Sequence, residues 1–180
     1  MREISLHILD IVQNSLAAQA KNIGISIIED TEQNKMYIEI KDDGKGMDKE
    51  TINKVLDPFY TTRTTRKVGL GLSLLQANAR TCGGDLTIES IPGKGTIVRT
   101  IFCLDHIDRP PLGNMATTLI SIMSGSSDVE FSYQHQCDKK CFSISTQEIK
   151  EHLNDIPVNN PEVLAWLLEY FTEKEKALSE

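Results

Sequence analysis

The early part of the chain changes hydrophobic period once, and that change constrains the fold more than any other feature. Ile4, Ile8, Ile11, Val12 and Leu16 recur at helical spacing and form one apolar stripe within residues 3–20. Ile23, Ile25 and Ile27 then alternate. So do the residues from Met36 to Lys41, after a polar turn from Thr31 to Lys35. A helix with one apolar stripe followed by two half-buried strands buries that stripe on the sheet the strands build, the beginning of a two-layer α/β sandwich.

The remaining pattern extends this layout. Asp42 to Met47 is an acidic, glycine-rich turn, and 48–56 reads as a short helix. Residues 58–68 are rich in Thr and Arg without a period and read as a loop. Gly69-Leu70-Gly71-Leu72 opens a helix to about Thr81, which Gly83-Gly84 ends. Leu86 and Ile88, then Ile97, Val98 and Ile101, give two strands around the Pro92-Gly93-Lys94-Gly95 turn. Arg109-Pro110-Pro111 cannot lie inside a helix and marks a boundary near 105–112. The division expected is a domain over 1–105 and a small α+β annex over 106–180. In the annex a helix is expected over 113–124, then a hairpin of Val129–Gln134 and Phe142–Ser145. A helix over Thr146–Leu153 with Thr146 as its cap and a last helix from Pro161 to about Lys176 complete it. The fold class is therefore α/β, a mixed sheet with helices on one face.

Composition narrows the setting. The net charge of −7 over 180 residues argues against a broad basic surface for nucleic acid. No apolar run approaches the ~18 to 20 residues of a membrane helix, and MREISLHILDIVQNS has no signal-peptide cleavage site. Four scattered cysteines make no disulfide framework. The expectation is a soluble, reduced, cytoplasmic protein.

Several side chains are chemically suggestive. Asp10 and Asn14 lie one turn apart on a helix face nearly opposite the apolar stripe. As oxygen donors they suit a hydrated Mg²⁺, or are merely solvated. Asp42 ends a strand before Gly44 and Gly46, where a carboxylate can accept from an exocyclic amine, or simply belong to a tight turn. Gly69-x-Gly71 at a helix start presents unpaired N–H groups suited to phosphate, and Arg63, Arg66 and Lys67 precede it. The Thr96 hydroxyl can bridge a base through water, or Thr96 is an ordinary strand former. His135, Cys137 and Cys141 surround a turn and offer three soft ligands, one fewer than a structural zinc site uses. The plainer reading is cross-strand cysteines. His7, His135 and His152 read as single surface residues. Met115, Leu119 and Met123 read as core, and Trp166, Leu167 and Phe171 as core or a docking face.

These features occur in an order that resembles the GHKL superfamily of DNA gyrase, Hsp90, histidine kinases and MutL, over about 1–104. Leu9 to Ala18 (Leu-Asp-Ile-Val-Gln-Asn-Ser-Leu-Ala-Ala) resembles the N box, in the version found in MutL. Asp42-Asp43-Gly44-Lys45-Gly46-Met47 resembles the G1 box, and Gly69-Leu70-Gly71-Leu72-Ser73 the G2 box. Pro58-Phe59-Tyr60-Thr61-Thr62-Arg63, Gly83-Gly84 and Pro92 to Thr96 resemble histidine-kinase segments. The resemblance implies a Bergerat ATP-binding fold with ATP and Mg²⁺ as cofactors. It implies that Asn14 contacts Mg²⁺ and that Asp42, helped by Thr96, binds the adenine amine. Gly44, Gly46 and Met47 would line the nucleotide, together with Gly69, Leu70, Gly71 and Leu72. Residues 60–68, with Thr61, Thr62, Arg63 and Lys67, would form a short lid. Asp10 takes the place of the catalytic Glu, one methylene shorter. Ala17 replaces the usual Asp or Lys, and Lys67 stands at a glycine position.

The implied function is Mg²⁺-dependent ATP binding, with phosphotransfer to a protein or slow hydrolysis in signalling. The alternative is a non-catalytic, ATP-switched module that grips a protein partner. A phosphoacceptor or regulatory protein, and a homodimer, are the partners to consider. No phosphoacceptor helix precedes the domain in this sequence. His106-Ile107-Asp108-Arg109-Pro110-Pro111-Leu112 faintly resembles the histidine-kinase H box, on the other side of the domain.

Overall fold

The computed structural model describes residues 3–57, 71–126, 128–153 and 156–180. The helix α1 (Ile4–Ala17) is followed by strands β1 (Asn22–Asp30) and β2 (Lys35–Asp42), helices α2 (Lys49–Val55) and α3 (Gly71–Thr81), and strands β3 (Asp85–Ile91) and β4 (Gly95–Cys103). Then come α4 (Met115–Ser124), β5 (Glu130–Cys137), β6 (Lys140–Ser145), α5 (Thr146–Leu153) and α6 (Pro161–Ser179). The strands form one six-stranded sheet in the order β3-β4-β2-β1-β5-β6. It is antiparallel except at β1–β5, which is parallel.

Register puts one apolar layer on one face. Ile25 faces Ile40 and Tyr133, Ile27 faces Ile38 and His135, and Ile40 faces Val98. Because side chains alternate along a strand, these partners share a face, and all are buried. Ile4, Ile8, Ile11 and Val12 of α1 lie in the same core, which α3, α4 and α6 complete with Leu75, Leu119, Leu167 and Phe171. The opposite face is polar, with Ser26, Glu39, Lys41, Ser132, Gln134 and Ser143 around a shallow hollow.

Residues beyond 106 contribute to that same sheet and core through β5, β6, α4 and α6. The proline stretch does more than connect. Glu3 gives α1 no side-chain cap, and Ile4 N and Ser5 N donate instead to the carbonyls of Pro111 and Leu112, at 3.0 and 2.8 Å. Helix α5 begins differently from expectation. Its cap is Ser145, which exchanges hydrogen bonds with Glu148 (Glu148 N to Ser145 Oγ, Ser145 N to Glu148 Oε2) as a capping box. Thr146 is buried, and its hydroxyl accepts from Phe131 N and donates to Glu130. Two histidines expected at the surface are buried. His7 continues the α1 stripe and His135 faces the core from β5.

Candidate nucleotide site

The C-terminal end of β2 meets α1 at Asp42, which is 8% exposed. The Ser15 hydroxyl donates to Asp42 Oδ2 at 2.6 Å and Gly44 N donates to Oδ1 at 2.9 Å. Both oxygens keep lone pairs, so the carboxylate is held in one orientation while still able to accept. The neighbouring Asp43 is spent on architecture. It accepts from Lys21 N, Asn22 N and Asn22 Nδ2 at 2.7–2.9 Å. The Asn22 amide, then its backbone N–H, hold the Asp43 carboxyl below the usual carboxylate range.

Glycines shape the pocket wall. A Cβ at Gly44 would meet Ala18 O at 2.9 Å and Asp42 Oδ1 at 3.0 Å. Gly95 has φ +107°, and a Cβ there would sit 1.9 Å from Asp42 O. Gly46, at φ +65°, is equally tight against Ile91 O. The loop between them is pinned on both sides: Lys45 N donates to Ala18 O and Gly93 N to Lys45 O. Met47 N donates to Ser90 Oγ, which lies 2.8 Å from Thr96 Oγ1. Register places Thr96 directly opposite Asp42.

Asp10 and Asn14 are both half-buried on α1, one turn apart. Asp10 reaches the first residue of α3. A Cβ at Gly71 would lie 1.8 Å from Asp10 Oδ2, so the carboxylate fills the space a side chain would need. Leu72 is half-buried and packs against the core. Thr61, Thr62, Arg63, Arg66, Lys67, Gly69 and Leu70 lie outside the described residues. The structure therefore brings two groups together: Asp42, Gly44, Gly46, Met47 and Thr96 around one carboxylate, and Asp10 with Gly71 at a helix start. Asn14 stands on α1 between Asp10 and Ser15. Ser15 and Ser90 escaped the sequence reading. Ser15 follows Asn14 directly within the N-box-like run, which is the one signal that could have found it.

Comparison with known proteins gives the family and the fold. The family model described as "Histidine kinase-, DNA gyrase B-, and HSP90-like ATPase" matches residues 2–106, more than half of the chain. The chain is 38% identical over 103 residues to a putative sensor protein of Shewanella frigidimarina, covering 56% of this chain and 16% of that protein. It is 35% identical over 96 residues to the sensor histidine kinase WalK of Bacillus subtilis, covering 49% and 16%. It is 43% identical over 67 residues to the anti-sigma F factor of Thermoanaerobacter sp., covering 37% and 43%. These matches thus span less than half the length of each relative. Among solved structures, the N-terminal domain of a DNA repair protein superposes with a TM-score of 0.56 at 18% identity, over 80% of this chain and 52% of that one, a likeness of fold. The chain belongs to the histidine kinase-, DNA gyrase B- and HSP90-like ATPase family.

Proposed function

We propose that this chain binds ATP with Mg²⁺ and passes the γ-phosphoryl group to a protein. The observation that carries the reading is the Asp42 carboxylate, buried, fixed by Ser15 and Gly44, and opposite Thr96. Such a carboxylate accepts from an exocyclic amine, and the side-chain-free positions at Gly44, Gly46 and Gly95 suit a flat base. Thr96 would add a polar contact to the base edge.

The metal reading rests on charge. The start of α3 presents backbone N–H groups and the positive end of a helix dipole, which attract phosphate. Asp10 abuts that same helix start at Gly71. A carboxylate there repels phosphate unless a divalent cation lies nearby to offset it, and Asn14 supplies a hard oxygen donor of the kind Mg²⁺ prefers. Bound Mg²⁺ would neutralise charge on the phosphates. Asn14 would hold the metal and Asp10 would orient the acceptor hydroxyl or imidazole. An acceptor that is already a good nucleophile needs orientation more than a strong base, so the shorter Asp10 suffices for transfer. Thr61, Thr62, Arg63, Lys67, Gly69 and Leu70 remain part of this proposal as the lid and phosphate residues. A protein acceptor is supported by the likeness to a histidine kinase and to an anti-sigma factor, both named for action through other proteins.

The second reading, an ATP-switched gripping module without transfer, is favoured by the missing methylene at Asp10. The two separate in one experiment. γ-labelled ATP is incubated with the chain and candidate partners, and label on protein and ADP release are followed for wild type and Asp10→Asn. Transfer predicts labelled protein that Asp10→Asn abolishes. ATP-dependent partner capture without label or ADP supports the module instead.

A further inference from the structure

At the far end of β1 from Asn22, three potential ligands converge outside the nucleotide pocket. Glu29 on β1 and His135 and Cys137 on β5 place a carboxylate oxygen, an imidazole nitrogen and a sulfur all within 4.8 Å of one another. The parallel register explains the convergence: Ile27 pairs with His135 and Glu29 with Cys137, so all three point to the core face. Cys141 is excluded by the same logic. On β6 it pairs with Gln136 of β5, whose side chain alternates away from His135 and Cys137, and it therefore projects to the other face.

These side chains lie at hydrogen-bonding distance from one another, a spacing that also fits ligands of one metal. His135 Nε2 lies 3.1 Å from Glu29 Oε1 and 3.6 Å from Cys137 Sγ. Zinc bonds of about 2.0–2.1 Å to N and O and about 2.3 Å to S put tetrahedral neighbours roughly 3.3 Å (N to O) and 3.6 Å (N to S) apart. The other imidazole nitrogen is also provided for. His135 Nδ1 is 2.8 Å from Glu175 Oε2 on α6, whose second oxygen accepts from the Tyr133 hydroxyl at 2.8 Å. A carboxylate on the far nitrogen is the usual support of a metal-bound histidine, fixing its tautomer and ring plane. His135 is 2% exposed, so the ring is held inside the protein.

We propose that Glu29, His135 and Cys137 bind one Zn²⁺, with Glu175 as the positioning residue for His135. A mixed nitrogen, oxygen and sulfur set of this size suits zinc, with a water in the fourth position. The ion joins β1 to β5 and, through Glu175, to α6, so it fastens the C-terminal elements to the ATPase sheet. The proposal is independent of the nucleotide reading.

The test uses the full chain without a histidine tag, stripped of metal and titrated with Co²⁺ and then Zn²⁺. One equivalent of Co²⁺ should give a thiolate-to-cobalt charge-transfer band in the near ultraviolet, which one equivalent of Zn²⁺ removes. The conservative Cys137→Ser should lose the band and bind Zn²⁺ at least 10-fold more weakly, while Cys141→Ser retains both. Glu175→Gln should weaken Zn²⁺ about 10–100-fold at unchanged stoichiometry. Failure of the wild type to take up stoichiometric metal, or a band and affinity unaltered by Cys137→Ser, overturns the proposal.

Discussion

The Ser15 hydroxyl donates to Asp42 Oδ2 at 2.6 Å, so the first helix orients the carboxylate that ends the second strand. If that orientation matters for recognising the base, Ser15→Ala should weaken adenine nucleotide binding while leaving the helix in place. Losing one buried hydrogen bond to a charged group costs roughly 1.5–3 kcal/mol, about 10- to 100-fold in affinity. Isothermal titration with ADP, alongside thermal unfolding of the apo protein, separates lost binding from lost fold.

Asp10 contributes at a different step. Asp10→Asn keeps the size of the side chain and its contact with Gly71 but removes the charge. ATP affinity should change only a few-fold, whereas labelled product should fall by about 10²-fold or more, in the range expected for a positioned acid or base. Single-turnover measurements with γ-labelled ATP read the two effects separately.

Gly95 tests the pocket wall. At φ +107°, with a Cβ destined for 1.9 Å from Asp42 O, Gly95→Ala forces the β4 start away from β2. Strain of this kind costs about 1–3 kcal/mol from the backbone conformation, before the clash is counted. The measurable result is a lower denaturation midpoint together with weaker nucleotide binding. Gly93, with open space around its Cβ position, gives a milder loss when replaced by Ala.

His7 should impose an acid limit on stability. It is 1% exposed, its Nδ1 meets no hydrogen-bond partner within hydrogen-bonding geometry among the described residues, and burial lowers its pKa from 6.5. The folded state therefore prefers the neutral ring. Its contribution is complete above about pH 6.5 and is lost as pH falls below that value toward the depressed folded pKa. The difference in unfolding free energy between wild type and His7→Gln should shrink as pH falls from 7.5 to 5.5, a comparison that cancels the opposite contribution of His135, whose pKa is raised in the folded state.

How much of this was visible in the sequence depends on how local the cause is. The α1 stripe and the β1–β2 alternation are short-range patterns, and each element is found close to its expected span. Asp42 and the glycines were readable because a tight acidic turn needs those residue types. The Ser15–Asp42 bond joins positions 27 apart and depends on how α1 lies on β2. The pairing of β1 with β5 spans a still longer separation and leaves no local mark, so Glu29 could not be joined to His135 and Cys137. Cys141 looked equivalent to Cys137 because the facing of a strand pair depends on register. His7 and His135 looked like surface residues because a single polar residue in an apolar stripe does not reveal whether the core can accommodate it.

The central claim is tested most directly by calorimetric titration of the chain with ATP in the presence and absence of Mg²⁺, for wild type, Asp42→Ala and Asn14→Ala. Saturable binding in the wild type is expected. It should be abolished by Asp42→Ala with the fold intact, and its Mg²⁺ enhancement should be lost in Asn14→Ala. Undiminished affinity after both positions are changed to alanine, or no binding of any adenine nucleotide by the folded wild type, contradicts the account.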